Sequence, residues 1–129
     1  MKKLIISAII ALLLITVVVL EQVYLNNSFS QLEAKVDVLS QQVSLTENIN
    51  TEQIQNTIYD LEEYWQNTEK VLCMTINYND LHRIGEQLQR VKAYIEQNQK
   101  DDCVAEIEVL DFYAESFRTI FLTNFSNIF

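Results

Sequence analysis

The chain has 129 residues, no proline, a single glycine (Gly85) and two cysteines, and beyond residue 20 it carries seven basic residues against eighteen acidic ones. So few turn-forming residues exclude a sheet-rich or loop-rich fold and leave helices joined by short polar links. The resulting net charge of −11 outside the apolar N-terminus repels phosphate backbones, so nucleic acid is not an expected partner. A bare anionic bilayer is also a poor partner for most of this surface.

Lys2 and Lys3 precede Leu4–Leu20, which is apolar except for Ser7 and Thr16. These seventeen residues span about 26 Å as a helix, slightly less than the roughly 30 Å hydrocarbon core of a bilayer. Val23, Tyr24 and Leu25 extend the helix into the interface, where a tyrosine is favoured. A cleaved secretory signal would have a shorter apolar region followed closely by small residues. The small-x-small triplet Ser28-Phe29-Ser30 lies too far downstream, and no cysteine follows closely enough for a lipid anchor. An uncleaved transmembrane helix over residues 4–23 is therefore expected. Positive charge stays in the cytoplasm, which leaves residues 1–3 as a cytoplasmic tip and places the rest outside the cell membrane. So short a tip cannot form an output domain, and any signal would have to pass through another membrane protein.

Over residues 24–49 the positions Leu25, Phe29, Leu32, Val36, Leu39 and Val43 alternate spacings of four and three, a heptad seam. The run is under three heptads, so it reads equally as a short amphipathic stalk or as a coiled coil. A helix is expected from Asn50, which can cap it, with Gln53 reaching back and Ile49 packing on Ile54 as a staple. Its apolar line is Ile54, Ile58, Leu61, Trp65, Leu72 and Ile76. Asn77-Tyr78-Asn79-Asp80 forms the next turn, rich in capping residues. The following helix carries Leu81, Ile84, Leu88, Val91 and Ile95 and ends around residues 97–100. Asp101 and Asp102 suit the positive end of the last helix, whose stripe is Cys103, Ile107, Leu110, Ala114, Phe117 and Phe121. Short links make neighbouring helices antiparallel. The predicted fold is all-α: a transmembrane helix, a stalk, and over 50–129 an antiparallel three-helix bundle, or a four-helix one if the stalk joins it.

The chain from Trp65 onward resembles the family catalogued as domain of unknown function 4363, short clostridial proteins. The likeness rests on Trp65, on Thr75-Ile76-Asn77 leading to Asp80-Leu81 and Ile84, and on Leu88-Gln89-Arg90-Val91-Lys92-Ala93-Tyr94-Ile95. In that last segment the family tends to show Leu-x-Arg-Leu-Lys-x-Tyr. Glu106, Leu110 and the closing Asn127-Ile128-Phe129 also fit. The resemblance covers about half of the chain and implies a membrane anchor with a helical extracytoplasmic domain, a companion of multi-span membrane proteins. It implies no activity. Gly85 and the two cysteines are not among its features.

Chemistry-bearing residues are sparse. Cys73 and Cys103 fall at opposite ends of the bundle, separated by a helix of about 28 Å, and a disulfide needs α-carbons within about 7 Å. Cys103 reads as a buried apolar residue, and Cys73 is placed to join two protomers. His82 stands alone, without the clustered ligands a zinc or di-metal centre needs. Phosphate loops and nucleophile elbows require glycines that are missing, and the acidic pairs Glu62-Glu63 and Asp101-Asp102 lack a nucleophile or orienting partner. Neither an enzyme nor a cofactor or metal is expected.

Two surfaces are candidates for interaction. Arg83, Gln87, Arg90 and Tyr94 form a stripe with Lys92 to one side, while Glu108, Asp111 and Glu115 line the next helix ahead of Arg118. They would either pair across the hairpin or leave Arg83, Arg90, Lys92 and Tyr94 as a recognition patch. Val109, Phe112 and Tyr113 form a second apolar rim. The uncharged tail, with Phe121, Phe125, Ile128 and Phe129, either closes the core or docks elsewhere. The leading expectation is an accessory protein that binds an integral membrane partner or a second copy of itself. A small-ligand sensor and a self-associating coiled-coil stalk of divisome type are the alternatives.

Overall fold

The computed structural model describes residues 1–74 and 76–128, and of 122–128 the backbone alone. Four helices follow in order: α1 (Lys2–Ser44), α2 (Glu52–Leu72), α3 (Tyr78–Glu96) and α4 (Lys100–Ile128). No strand occurs among the described residues.

The expected transmembrane helix and stalk are one unbroken helix. α1 runs 43 residues, about 65 Å at the usual rise. Its N-terminal part is long and apolar enough to cross a membrane and has no buried residue in that window. From Leu25 onward the helix joins a bundle. The heptad seam Leu25, Phe29, Leu32, Val36, Leu39 and Val43 is buried throughout, and α1 packs on both α2 and α4. The fold is thus the four-helix arrangement. α2 packs on α1 and α3, and α4 on α3 and α1, with no close diagonal backbone approach among the described residues, as antiparallel neighbours with short links require. The seam is filled by this chain's own α2 and α4.

All five residues expected on the inner face of α3, and the whole stripe from Cys103 to Phe121 on α4, lie in the core. Ile76, the last of the α2 line, sits half-buried in the α2–α3 link. Trp65 occupies the centre, its ring edge-on to Phe29 with centroids 5.9 Å apart, and Phe29 also meets Phe121 at 5.9 Å. An edge-to-face aromatic pair adds about 0.5–1.5 kcal/mol to its burial.

The end of the bundle remote from the apolar segment is held by polar groups. α2 is capped by Thr51 and not by Asn50: the Thr51 hydroxyl accepts from the Ile54 amide at 3.3 Å. Asn50 has a different task, donating to the Glu96 carbonyl at 3.4 Å and accepting from Gln55. α3 ends in a Schellman motif, with amides of Asn98 and Gln99 bonded back to Ile95 and Tyr94 at 3.0 Å. Asn98 takes the left-handed φ of 54° there, a conformation asparagine tolerates better than most residues. Its side chain accepts from the Ile49 amide at 2.8 Å, tying the α1–α2 link to the α3–α4 turn.

Candidate functional site

The stripe on α3 divides when folded. At about 100° per residue, Arg83 and Arg90 fall on the flank next to α4, and Lys92 falls on the flank next to α2. Lys92 is engaged there by the nearly buried Glu62, Nζ to Oε2 3.4 Å. Tyr94 is half-buried and packs against the core. Arg83 and Arg90 are exposed, with no ion pair or hydrogen bond among the described residues.

The expected pairing between α3 cations and α4 carboxylates does not form among the described residues. Glu108, Asp111 and Glu115 lie on the side of α4 turned from α3. The α3–α4 seam is instead bridged by buried Gln87, which donates to the Glu106 carbonyl at 2.9 Å and to its carboxylate. Arg118 reaches α1, bonding Glu33 at 3.1 Å and Asn26 at 3.1 Å.

Asp111 consequently stands in an acidic groove with Asp37, Glu33 and Glu115, relieved among the described residues by Arg118. Burial, then the charges of Asp37 and Glu115, raise its carboxyl above the ordinary carboxylate value. A raised folded-state value means that the folded chain holds more protons than the unfolded one between the two values. Stability from this group therefore grows as pH falls from neutral through the folded value, and is fully present below the unfolded one. Asp111→Asn is expected to stabilise the fold at pH 7 by about 0–1 kcal/mol after solvent screening, read as a raised melting temperature in detergent micelles. The gain should shrink on mild acidification; a lowered melting temperature at pH 7 would contradict this electrostatic account.

On its outer side α4 exposes apolar surface. Phe112 is 64% exposed, and Val109 and Ile120 are also open. The Gln87–Glu106 bond fixes the register, so Arg83 and Arg90 flank it by about one turn on α3 while Val109 lies about one turn beyond it on α4. Arginine beside aromatic and aliphatic surface is the composition of interaction hot spots. Phe121, from the candidate docking tail, is buried against Phe29 and Phe117. The side chains of Phe125 and Ile128, and Phe129 altogether, lie outside the described residues.

A shallow cleft of about 200 Å³ opens between α2 and α3 over Trp65, with Glu62, Glu69, His82, Gly85 and Glu86 around it. The indole N–H of Trp65 and Oε1 of Glu62 are buried there without a protein partner among the described residues. No group of three or more His, Cys, Asp or Glu suited to a metal occurs among the described residues. Both cysteines are free, Cys73 exposed and Cys103 buried. The rotation of α3 that separates Lys92 from the arginines, and the buried role of Gln87, follow from helical phase once the core direction is known. Sequence reasoning grouped these residues by spacing alone.

A family model described as domain of unknown function (DUF4363) matches residues 19–128, from within the apolar run almost to the C-terminus. No curated protein and no solved structure matches the chain.

Proposed function

This chain belongs to the DUF4363 family, and on that premise we propose that it is a non-enzymatic, membrane-anchored accessory protein. The N-terminal part of α1 spans the cell membrane with Lys2 and Lys3 in the cytoplasm, and the bundle stands outside. The face formed by Arg83, Val109 and Phe112, with Arg90 at its edge, binds an integral membrane protein.

The observation that carries this reading is the contrast between a closed core and that open face. The heptad seam and every inner stripe are satisfied within the chain, so self-association through the seam is not needed. The outer α3–α4 side, by contrast, carries exposed apolar side chains and two guanidinium groups without a partner among the described residues, a surface whose burial would be favourable. The test is in-cell photocrosslinking from position 112, compared with exposed Tyr59 on the outer face of α2. The expected result is one membrane protein captured from 112 and not from 59, with capture reduced at least tenfold by Arg83→Glu plus Arg90→Glu, as the loss of two hot-spot contacts implies. Equal capture from both positions, or capture of nothing but the chain itself, would remove the reading.

A second reading is favoured by the cleft over Trp65. Unpaired carboxylate oxygens beside an indole N–H suit a small organic cation with one acceptor, bound between helices as in other bundles. Trp65 is the only tryptophan, so a change in its emission on titration with amines would favour sensing over partner binding.

A further inference from the structure

We propose that the α2–α3 link is a second membrane contact, which seats the near end of the bundle in the acyl–headgroup boundary of the bilayer that α1 crosses. The proposal rests on the reading of α1 as a membrane span and adds to it a depth and a lipid-contacting segment.

The first argument is length. Leu4–Leu20 covers only about 26 Å, short of the roughly 30 Å hydrocarbon core. Extended to Tyr24 the helix covers about 31 Å, which matches. Glu21 and Gln22 interrupt this extension in sequence but not on its outer surface. Both are half-buried where α1 begins to meet the bundle, whereas Leu20, Val23 and Tyr24 around them are exposed. The outward surface of α1 is therefore apolar down to Tyr24, and the first exposed amide follows at Asn27.

The second argument is what lies level with that extension. A mostly apolar cleft of about 330 Å³ is lined by Leu20, Tyr24 and Leu25 of α1, with Glu21 at its wall, and by Val71, Met74 and Ile76 from the end of α2 and the link. Because α1 is continuous, whatever depth places Leu20 and Tyr24 in the bilayer also places this link there. The composition suits that depth. Met74 is 82% exposed, Val71 is exposed, and the exposed rings of Tyr24 and Tyr78 stand where tyrosines mark the interface. Lys70, exposed one turn above, can extend its ammonium to the lipid phosphates. The opposite end of the bundle, apart from Leu45, is built from the asparagine and lysine contacts that tie its links together. An apolar cleft open to water is costly, and at the acyl–headgroup boundary lipid chains cover its apolar wall while Glu21 stays at headgroup level.

Cys73 lies in this segment and is exposed, whereas Cys103 is buried and its thiol is pushed up to about 11 by desolvation. A maleimide fluorophore at neutral pH therefore marks Cys73 on the otherwise unaltered chain. The full-length protein is reconstituted in phosphatidylcholine–phosphatidylglycerol vesicles carrying a nitroxide near the top of the acyl chain. Labels at Ile10→Cys and Ser44→Cys, each in a Cys73→Ser background, report the span and the far end. The expected result is strong quenching at positions 10 and 73 and little at 44, with Met74→Glu weakening quenching at 73 while leaving the melt unchanged. Quenching at 10 with position 73 as bright as 44 would overturn the seat and leave the span intact. A bright label at position 10 would show that the span itself fails, and the seat with it.

Discussion

A fragment covering residues 50–129 is expected not to fold, whereas one covering 24–129 gives a cooperative thermal melt and a dispersed amide spectrum. Without α1 the bundle loses Leu25, Phe29, Leu32, Val36, Leu39 and Val43, each no more than 2% exposed. Burial of six such side chains contributes on the order of 10 kcal/mol, comparable with the whole net stability of a domain, about 5–15 kcal/mol. The cut also exposes the inner faces of α2 and α4 and strands Arg118, which bonds Glu33 and Asn26 on α1. It further removes the backbone carbonyl of Ser28 that accepts from the Tyr64 hydroxyl at 2.8 Å. Far-UV circular dichroism with a thermal ramp checks both fragments. A cooperative melt for 50–129 would make α1 an appendage and restore the three-helix reading.

That ambiguity shows what the chain discloses before it is folded. The apolar stripes of α2, α3 and α4, and the seam of α1, are visible because helical period leaves only a few residues able to face inward. The destination of the seam is not visible. A four-three repeat packs equally well on a second copy or on two helices of the same chain, and only the tertiary placement of Trp65 and Phe121 against Phe29 decides it. Helix ends were legible only to within a few residues. α1 stops at Ser44, short of the expected 49, α2 stops at Leu72 and leaves Ile76 in the link, and α3 starts at Tyr78 inside the expected turn 77–80. Thr51 takes the cap role that its neighbour Asn50 is equally equipped for. Charge pairing was the least legible. Asp111 and Arg118 both turn toward α1, so the acidic stripe that could have paired across the hairpin with α3 lies in a repulsive groove beside Asp37. The candidate patch fared similarly: Arg83 and Arg90 share a flank by phase, while Lys92, two residues from Arg90, is carried to the opposite flank and to Glu62.

Trp65→Ala is expected to be the most damaging single substitution, with a loss of about 3–5 kcal/mol. Trp65 is 1% exposed and stands where all four helices converge: edge-on to Phe29 of α1, beside Gly85 of α3, and below the Phe29–Phe121 contact that brings in α4. Truncation leaves a void that backbone shifts cannot close, because the helices on either side are held apart by their own core rows. In a domain of this size each kcal/mol moves the melting temperature by about 4–8 °C, so a fall of at least 12 °C is expected by circular dichroism in micelles. Gly85→Ala is the control for local crowding. A β-carbon there would meet the Trp65 ring and Glu69 at 3.9 Å, ordinary contact, and should stabilise α3 by up to about 1 kcal/mol through helix propensity. Should Trp65→Ala cost less than Trp65→Phe, or either fall below 1 kcal/mol, the indole would be serving the cleft above it and not the core. The unpaired N–H facing Glu62 and Glu69 would then become the first place to look for a ligand.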